Sequence, residues 1–280
     1  MSTNWKSVAC SALAVFSLTT GGAYSEQFPA DSAMGRIAQK QNVRIGVKFD
    51  QPLFGLRDLS GKPVGFDVEI AKIVAAKLGF SEERITWVET FSSNREPFLS
   101  QDKVDFIVAT YAISDKRKQV VNFAGPYVVG GQDIVVKKGN PLQIGSVDDL
   151  AGHKACVISG SEGQSILTKK YDKTEVVPFD VISKCAEALK NGSVDAIVTS
   201  NFILAGLVTK NTSTLELIGQ PFTVEPWGVG VQKVDVDLCH FVQTVLTDAD
   251  KNGSYKELYD RILKPSLGGD GKLPPQTSCP

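Results

Sequence analysis

The stretch Gly65-Phe66-Asp67-Val68-Glu69-Ile70-Ala71-Lys72-Ile73-Val74-Ala75-Ala76-Lys77-Leu78 decides the fold class. Phe66, Ile70, Ile73, Val74 and Leu78 recur at helical spacing, which predicts one apolar face on a helix over 67–78. Asp67 and Glu69 place negative charge at the positive end of the helix dipole, in a first turn that reads as exposed, and Gly79 follows as a stop. The run before it, Val43-Arg44-Ile45-Gly46-Val47-Lys48-Phe49-Asp50, has the pattern of a strand. A strand feeding a docked helix is the opening of an α/β unit.

The alternation continues outward from there. Strand 85–89, a short helix near 95–100, strand 104–109 and helix 115–120 follow in order, and such alternation predicts a mostly parallel sheet. The apolar run Val104-Asp105-Phe106-Ile107-Val108-Ala109 suits a central strand covered on both faces. Gly125-Pro126-Tyr127 reads as punctuation closing this first unit. A second unit restarts at Ile134-Val135-Val136. It continues with a capped short helix from Ser146, strand 154–158, helix 162–170, strand 175–179, helix 181–191, strand 194–198 and helix 201–207. One more strand and helices 236–251 and 254–263 are expected to return to the first unit. Two crossovers, near 128–132 and 223–227, would form a two-strand hinge on which two lobes close over a ligand. The expected organisation is 1–25 as an export signal, 26–128 with 228–280 as lobe one, and 129–227 as lobe two.

Composition excludes several classes of function. Thirty basic and thirty-one acidic residues give a net charge of −1, and no basic run marks a nucleic-acid surface. The apolar segment from Val8 to Thr20 ends in Gly21-Gly22-Ala23-Tyr24-Ser25. It is too short to span a bilayer and has the small-residue exit of a secretory signal peptide. The mature chain is therefore expected to be free and soluble in the periplasm, or secreted where no periplasm exists. Removing 1–25 takes away Cys10 and leaves Cys156, Cys185, Cys239 and Cys279, an even number that favours disulfides in an exported protein and allows three connectivities. With no CxxC pair and only His153 and His240, neither a metal site nor a cofactor is expected.

In open α/β sheets ligands sit at the carboxyl ends of strands. Lys48 ends the first strand, Arg95 follows the second within Ser92-Ser93-Asn94-Arg95, and Arg117 follows the third. Three cations converging on one rim repel each other unless an anion joins them, which points to a small acidic ligand with at least one carboxylate. The competing reading makes Lys48 and Arg95 solvated charges, or partners of Asp50, Glu89 or Glu96. Both readings stand at this level.

From about residue 43 to about residue 263 the chain resembles the bacterial extracytoplasmic solute-binding proteins of family 3, the polar amino-acid binders. The opening strand and helix carry part of the likeness. A second part is Ile107-Val108-Ala109-Thr110-Tyr111-Ala112-Ile113-Ser114-Asp115-Lys116-Arg117, followed by Val121-Asn122-Phe123-Ala124-Gly125-Pro126-Tyr127, which is similar to the family's α-carboxylate loop. The resemblance implies a two-lobed fold like that of type II periplasmic binding proteins, each lobe a mostly parallel sheet flanked by helices. It implies that Arg117 grips a carboxylate with two prongs, aided by the Thr110 backbone and the Ala112 N–H; Ala112 stands where the family offers a Ser or Thr hydroxyl. It also makes Ser159-Gly160-Ser161-Glu162-Gly163 a helix N-terminus presenting Ser161 Oγ and free N–H groups to an anion, with Glu162 beside it and Ile158 giving an apolar wall.

Val194-Asp195-Ala196-Ile197-Val198-Thr199-Ser200-Asn201 resembles the strand end that carries an aspartate for the ligand's α-ammonium, through Thr199 and, in the aspartate's place, Ser200. A buried ammonium without a counter-charge is costly, so either Asn201 or Glu225 compensates or the ligand has no free amino group. Gly46 to Pro52, Gly55-Leu56-Arg57 and the Cys156 to Cys185 spacing are most similar to the glutamate and aspartate binders, with Arg57 either at the mouth or simply exposed. The implied function is that of a monomeric receptor that delivers an acidic amino acid or related carboxylate to an ABC-type permease, with no covalent chemistry. Two alternatives are a cyclohexadienyl dehydratase-like enzyme using Glu162 as acid, and a sensory ligand-binding module. The lobe assignment then pairs Cys156 with Cys185 and Cys239 with Cys279, because each pair lies within one lobe.

Overall fold

The structure, a computed structural model, describes Met1, residues 28–277 and residues 279–280; the rest of the expected signal segment, with Cys10, lies outside the described residues. Two five-stranded sheets organise the chain. The first runs in the order Ile85–Glu89, Val43–Val47, Phe106–Ile107, Glu225–Gln232, Val121–Gly130. The second runs Glu175–Phe179, Lys154–Ile158, Ala196–Ser200, Gln132–Lys137, Leu215–Leu217. In each sheet the first three strands are parallel and the last two are added antiparallel. Val43, Ile45 and Val47 on one face of their strand are fully buried, and Gly46 on the other face is buried as well.

The antiparallel strands carry the chain between the sheets. Val121–Gly130 pairs with Glu225–Gln232 in the first sheet, with Glu225 opposite Gly130, and only Gly131 separates its end from Gln132 in the second. The return path runs from Leu217 to Glu225. Gly125-Pro126-Tyr127 does not close a unit but lies inside the ten-residue strand Val121–Gly130. The pairing register shifts between Trp227 and Val229, so a bulge absorbs the three residues and accommodates a proline that cannot donate to the ladder.

The helix predicted over 67–78 spans Phe66–Lys77 and buries Phe66, Ile70 and Val74. Its acidic first turn differs from expectation: Asp67 is fully buried, with only Glu69 reaching solvent and pairing with Lys72. Asp67 accepts hydrogen bonds from Thr110 N (2.7 Å) and the Tyr127 hydroxyl (2.9 Å), which repay much of the desolvation of its carboxylate. Val236–Lys251 and Ser254–Ile262 pack back on the first sheet and this helix, and Tyr255 donates to the Tyr127 carbonyl at 2.7 Å. The capped helix expected from Ser146 is a single 3-10 turn, Asp148–Leu150, at whose start Asp149 accepts from the backbone of Gly145 and Ser146.

The Sγ atoms of Cys156 and Cys185 lie 1.97 Å apart, and those of Cys239 and Cys279 lie 2.17 Å apart. The first pair joins a strand of the second sheet to the helix Ile182–Asn191, and the second joins the helix Val236–Lys251 to the tail. The tail is further held by Gln276, which donates to the Pro126 carbonyl at 2.8 Å. Among the described residues no helix is long and apolar enough to cross a membrane, and no group of three His, Cys, Asp or Glu residues could hold a metal.

Candidate functional site

The carboxyl ends of the parallel strands in both sheets face one another, and a narrow cavity lies between them. The first sheet's side contributes Gln51, Arg95, Thr110, Ala112 and Arg117; the second contributes Gln132, Ile158, Ser161, Glu162 and Thr199; Glu225 stands on the return connection. Lys48 lines an adjoining pocket that shares Gln51 and Ile158 with this one.

Three cations are brought together as the sequence predicts. Lys48 and Arg95 are 5% and 2% exposed, and among the described residues no carboxylate lies within ion-pair distance of either. Lys48 Nζ donates to Ser92 Oγ at 2.9 Å, and Arg95 donates to the carbonyls of Ser92, Ala109 and Thr110 at 3.2–3.3 Å. Burial, reinforced by the charge of Arg95, holds the Lys48 ammonium well below the usual lysine range. Burial and the neighbouring Arg117 bring Arg95 down to about 10. Both guanidiniums lie over the Tyr111 ring, Arg95 at 4.2 Å and Arg117 at 5.4 Å from its centroid, so an aromatic face supplies part of the missing negative charge. Tyr111 was not singled out from sequence; an aromatic residue beside a cationic loop was its only signal.

Arg117, not Arg95, takes Glu96 as partner, at 3.2 Å from its Nε. Its Nη1 donates to the Ala112 carbonyl at 2.9 Å and lies 3.7 Å from Glu162, and its Nη2 donates to the Gly160 carbonyl at 3.0 Å. Beyond those hydrogen bonds each Nη keeps one N–H, as many as a two-pronged carboxylate contact needs. The Gly160 contact crosses from one lobe to the other. A second crossing contact is Ser183 N to Asp50 Oδ2 at 3.0 Å.

Thr110 departs from the expected role. Its φ of 45° turns the N–H onto Asp67, and its carbonyl accepts from Arg95, so its backbone has no spare donor. Its hydroxyl donates to Gln51 Oε1 at 2.9 Å. Ala112 fits better: its bridge to Trp227 runs through Ile113 N and Gly228 N, which leaves the Ala112 N–H turned away from that strand. Ser161 caps the helix Glu162–Lys170 by accepting from Gln164 N at 3.2 Å. Thr199 reaches the cavity, but Ser200 does not line it: its hydroxyl sits 3.5 Å from Asn201 Oδ1, behind Gly130 and Gly131. Arg57 is exposed and stacks on Phe49, away from the cavity.

Gln132 lines the cavity although nothing in the sequence marks it, beside Glu225, which the sequence offers as a counter-charge. Gln132 is 1% exposed and donates through Nε2 to Glu225, whose other oxygen accepts from Trp227 Nε1 at 3.2 Å. Glu225 is 7% exposed, and burial pushes its carboxyl above the usual range. A glutamine after a glycine-rich crossover carries no sequence signal of its own.

A polar cleft between two α/β lobes joined by paired crossing strands defines a bilobal solute-binding protein. The description "Bacterial extracellular solute-binding proteins, family 3" matches residues 43–265, and the chain belongs to that family. It is 34% identical to the ABC transporter glutamine-binding protein GlnH of Bacillus subtilis over 247 residues, covering 88% of this chain and 89% of that protein. It is 30% identical to the glutamate-binding protein GluB of Corynebacterium efficiens over 275 residues, covering 95% and 92%. Among solved structures, the solute receptor for L-cysteine of Neisseria gonorrhoeae superposes with a TM-score of 0.79 at 31% identity, over 84% of this chain and 95% of that one. The family and the fold are those of transport solute-binding proteins, which are not enzymes.

Proposed function

We propose that this protein is the extracytoplasmic, monomeric receptor of an ABC transporter for an acidic amino acid, with glutamate and aspartate first. The relatives named above bind glutamine, glutamate and cysteine, so the family fixes an amino-acid ligand more firmly than its side chain. The observation that carries the acidic reading is the pair Lys48 and Arg95, buried with no carboxylate within ion-pair distance among the described residues, beside a cavity that also holds Arg117. A buried unpaired cation costs several kcal/mol, and a dicarboxylate ligand offsets that cost twice, once at Arg117 and once at Lys48 and Arg95. In this reading Arg117 and the Ala112 N–H hold the α-carboxylate, Ser161 faces it from the second lobe, and the crossovers near 128–132 and 223–227 form the hinge between lobe 26–128 with 228–280 and lobe 129–227.

Titration calorimetry on ligand-stripped protein tests the assignment of both ends. Arg117→Ala is expected to weaken glutamate binding by roughly a hundredfold to several thousandfold, the equivalent of about 3–5 kcal/mol for breaking a desolvated charged pair. Lys48→Ala is expected to cost less and to weaken glutamate more than glutamine. An Arg117→Ala variant with normal affinity, or a Lys48→Ala variant that loses both ligands equally, contradicts the respective role.

A further inference from the structure

Asp50 opens the short strand Asp50–Gln51 of lobe one, yet its carboxylate acts on lobe two: Oδ2 accepts from Ser183 N at 3.0 Å. Ser183 stands in the first turn of the helix Ile182–Asn191. The N–H groups of a first turn have no intrahelical partners, and a carboxylate there also meets the positive end of the helix dipole. Val181 occupies the capping position of this helix with the extended backbone of a cap residue, φ −132° and ψ 148°, but its side chain has no acceptor. The cap comes from across the cleft instead.

The segment that carries Asp50 is constrained from behind and seated in front. Leu53 has φ 72°, a left-handed conformation that a bulky side chain adopts only where its surroundings impose it. Its carbonyl accepts from Phe66 N at 2.7 Å, at the start of the helix Phe66–Lys77, so lobe one supplies the constraint. On the other side Pro52 and Leu53 lie against the helix Asn201–Thr209 of lobe two at Gly206. A Cβ on Gly206 would stand 2.6 Å from the Pro52 carbonyl oxygen and 3.2 Å from Leu53 Cγ, so the absent side chain is what admits the tip. Residues 50–53 therefore touch two helices of lobe two. Asp50 does not line the cavity that holds Arg95 and Arg117.

We propose that the tip 50–53 is a clasp between the lobes, in which Asp50 caps the helix Ile182–Asn191 when the lobes are together and leaves it uncapped when they part. Capping is conditional on closing because position 181 supplies no acceptor of its own. The clasp contains no solute atom, so it favours the closed arrangement with or without a solute and strengthens the binding of whatever the cleft holds.

Amide exchange followed by NMR, with calorimetry, tests this on the ligand-stripped mature protein. Without ligand, Asp50→Ala should speed exchange of the Ser183 N–H about two- to thirtyfold, the range spanned by loss of a side-chain helix cap, and leave the central strands of both sheets unchanged. Glutamate affinity should fall by a similar factor, through faster dissociation, and Asp50→Asn, which keeps an acceptor, should lose less. The sign is decisive: Asp50 shares a pocket with Lys48, so a purely electrostatic role would make its removal tighten an acidic ligand. Unchanged exchange at Ser183, or Asp50→Ala binding glutamate as tightly as wild type or more so, overturns the clasp. If Asp50→Ala fails to fold, Asp50→Ser, whose hydroxyl is one bond shorter, repeats both measurements. Only the glutamate arm rests on the acidic-receptor reading; if glutamate does not bind wild type, that reading fails and exchange at Ser183 still decides the clasp.

Discussion

Asp67 shows how much of the site depends on a residue that only the three-dimensional structure can place. Its sequence setting, an acidic first turn, predicts a solvated charge; the structure buries it to bind Thr110 N and the Tyr127 hydroxyl, and so holds the strained strand end from which the Arg117 loop departs. Burial raises its carboxyl from the 3.8 of a free side chain to about 6. An acid that binds its proton more tightly when folded gives stability that is full below its unfolded pKa and is lost as pH rises through the folded one. The stability of wild type relative to Asp67→Asn should therefore fall between about pH 4 and pH 6, by roughly 3 kcal/mol at most. Urea unfolding of both proteins across that range checks it; a difference that is flat or rises with pH contradicts it. At this scale the sequence revealed the cations, because Lys48, Arg95 and Arg117 each follow a strand. It hid Gln132 and Tyr111, whose roles depend on which neighbours the fold brings within a few ångströms.

At the scale of elements, what was legible followed from periodicity. The helix Phe66–Lys77, the strand-to-helix run Lys154–Ile158 into Glu162–Lys170, and the paired helices Val236–Lys251 and Ser254–Ile262 all bury the apolar faces their spacing predicts. Short pieces left no period to read: the small sheet of Asp50–Gln51, Gly55–Arg57 and Pro63–Val64, and the strand Leu215–Leu217, are two or three residues each. Gly125-Pro126-Tyr127 reads as a stop because glycine and proline signal turns locally, while a bulge in the strand Val121–Gly130 itself, opposite Gly228, keeps them inside the sheet. One turn links element to function. Gly160 has φ +72°, and a Cβ there would stand 2.7 Å from Ser93 Cα in the other lobe. Gly160→Ala should keep each lobe folded but hold the helix Glu162–Lys170 away from the loop before Arg95. Glutamate affinity should fall at least about tenfold, equivalent to roughly 1.4 kcal/mol, and X-ray scattering should show less contraction with saturating ligand than for wild type. Unchanged affinity and contraction would show that the closed form tolerates the methyl group.

At the scale of the whole molecule, two lobes that each complete their own sheet meet through crossing strands, through apolar packing such as Phe202 against Trp227, and through a rim of polar contacts, among them Arg117 to Gly160 and Asp50 to Ser183. Both cysteine pairs stay within a lobe, so neither ties one lobe to the other. The cleft gathers buried cations on the first lobe and acceptors around Glu225 and the second, a polarity that suits a zwitterion carrying an additional negative charge. This polarity was only half readable in the sequence, since the cations sit in recognisable loops whereas the acceptors come from a hinge strand and a crossover. Together the two halves would select an acidic amino acid. Calorimetric titration of the ligand-stripped mature protein with glutamate, aspartate, glutamine, arginine and cystine tests it most directly. Glutamate or aspartate should bind at least about tenfold more tightly than any neutral or basic amino acid in the set; tighter binding of glutamine, arginine or cystine, or no binding of either acidic amino acid, would contradict it.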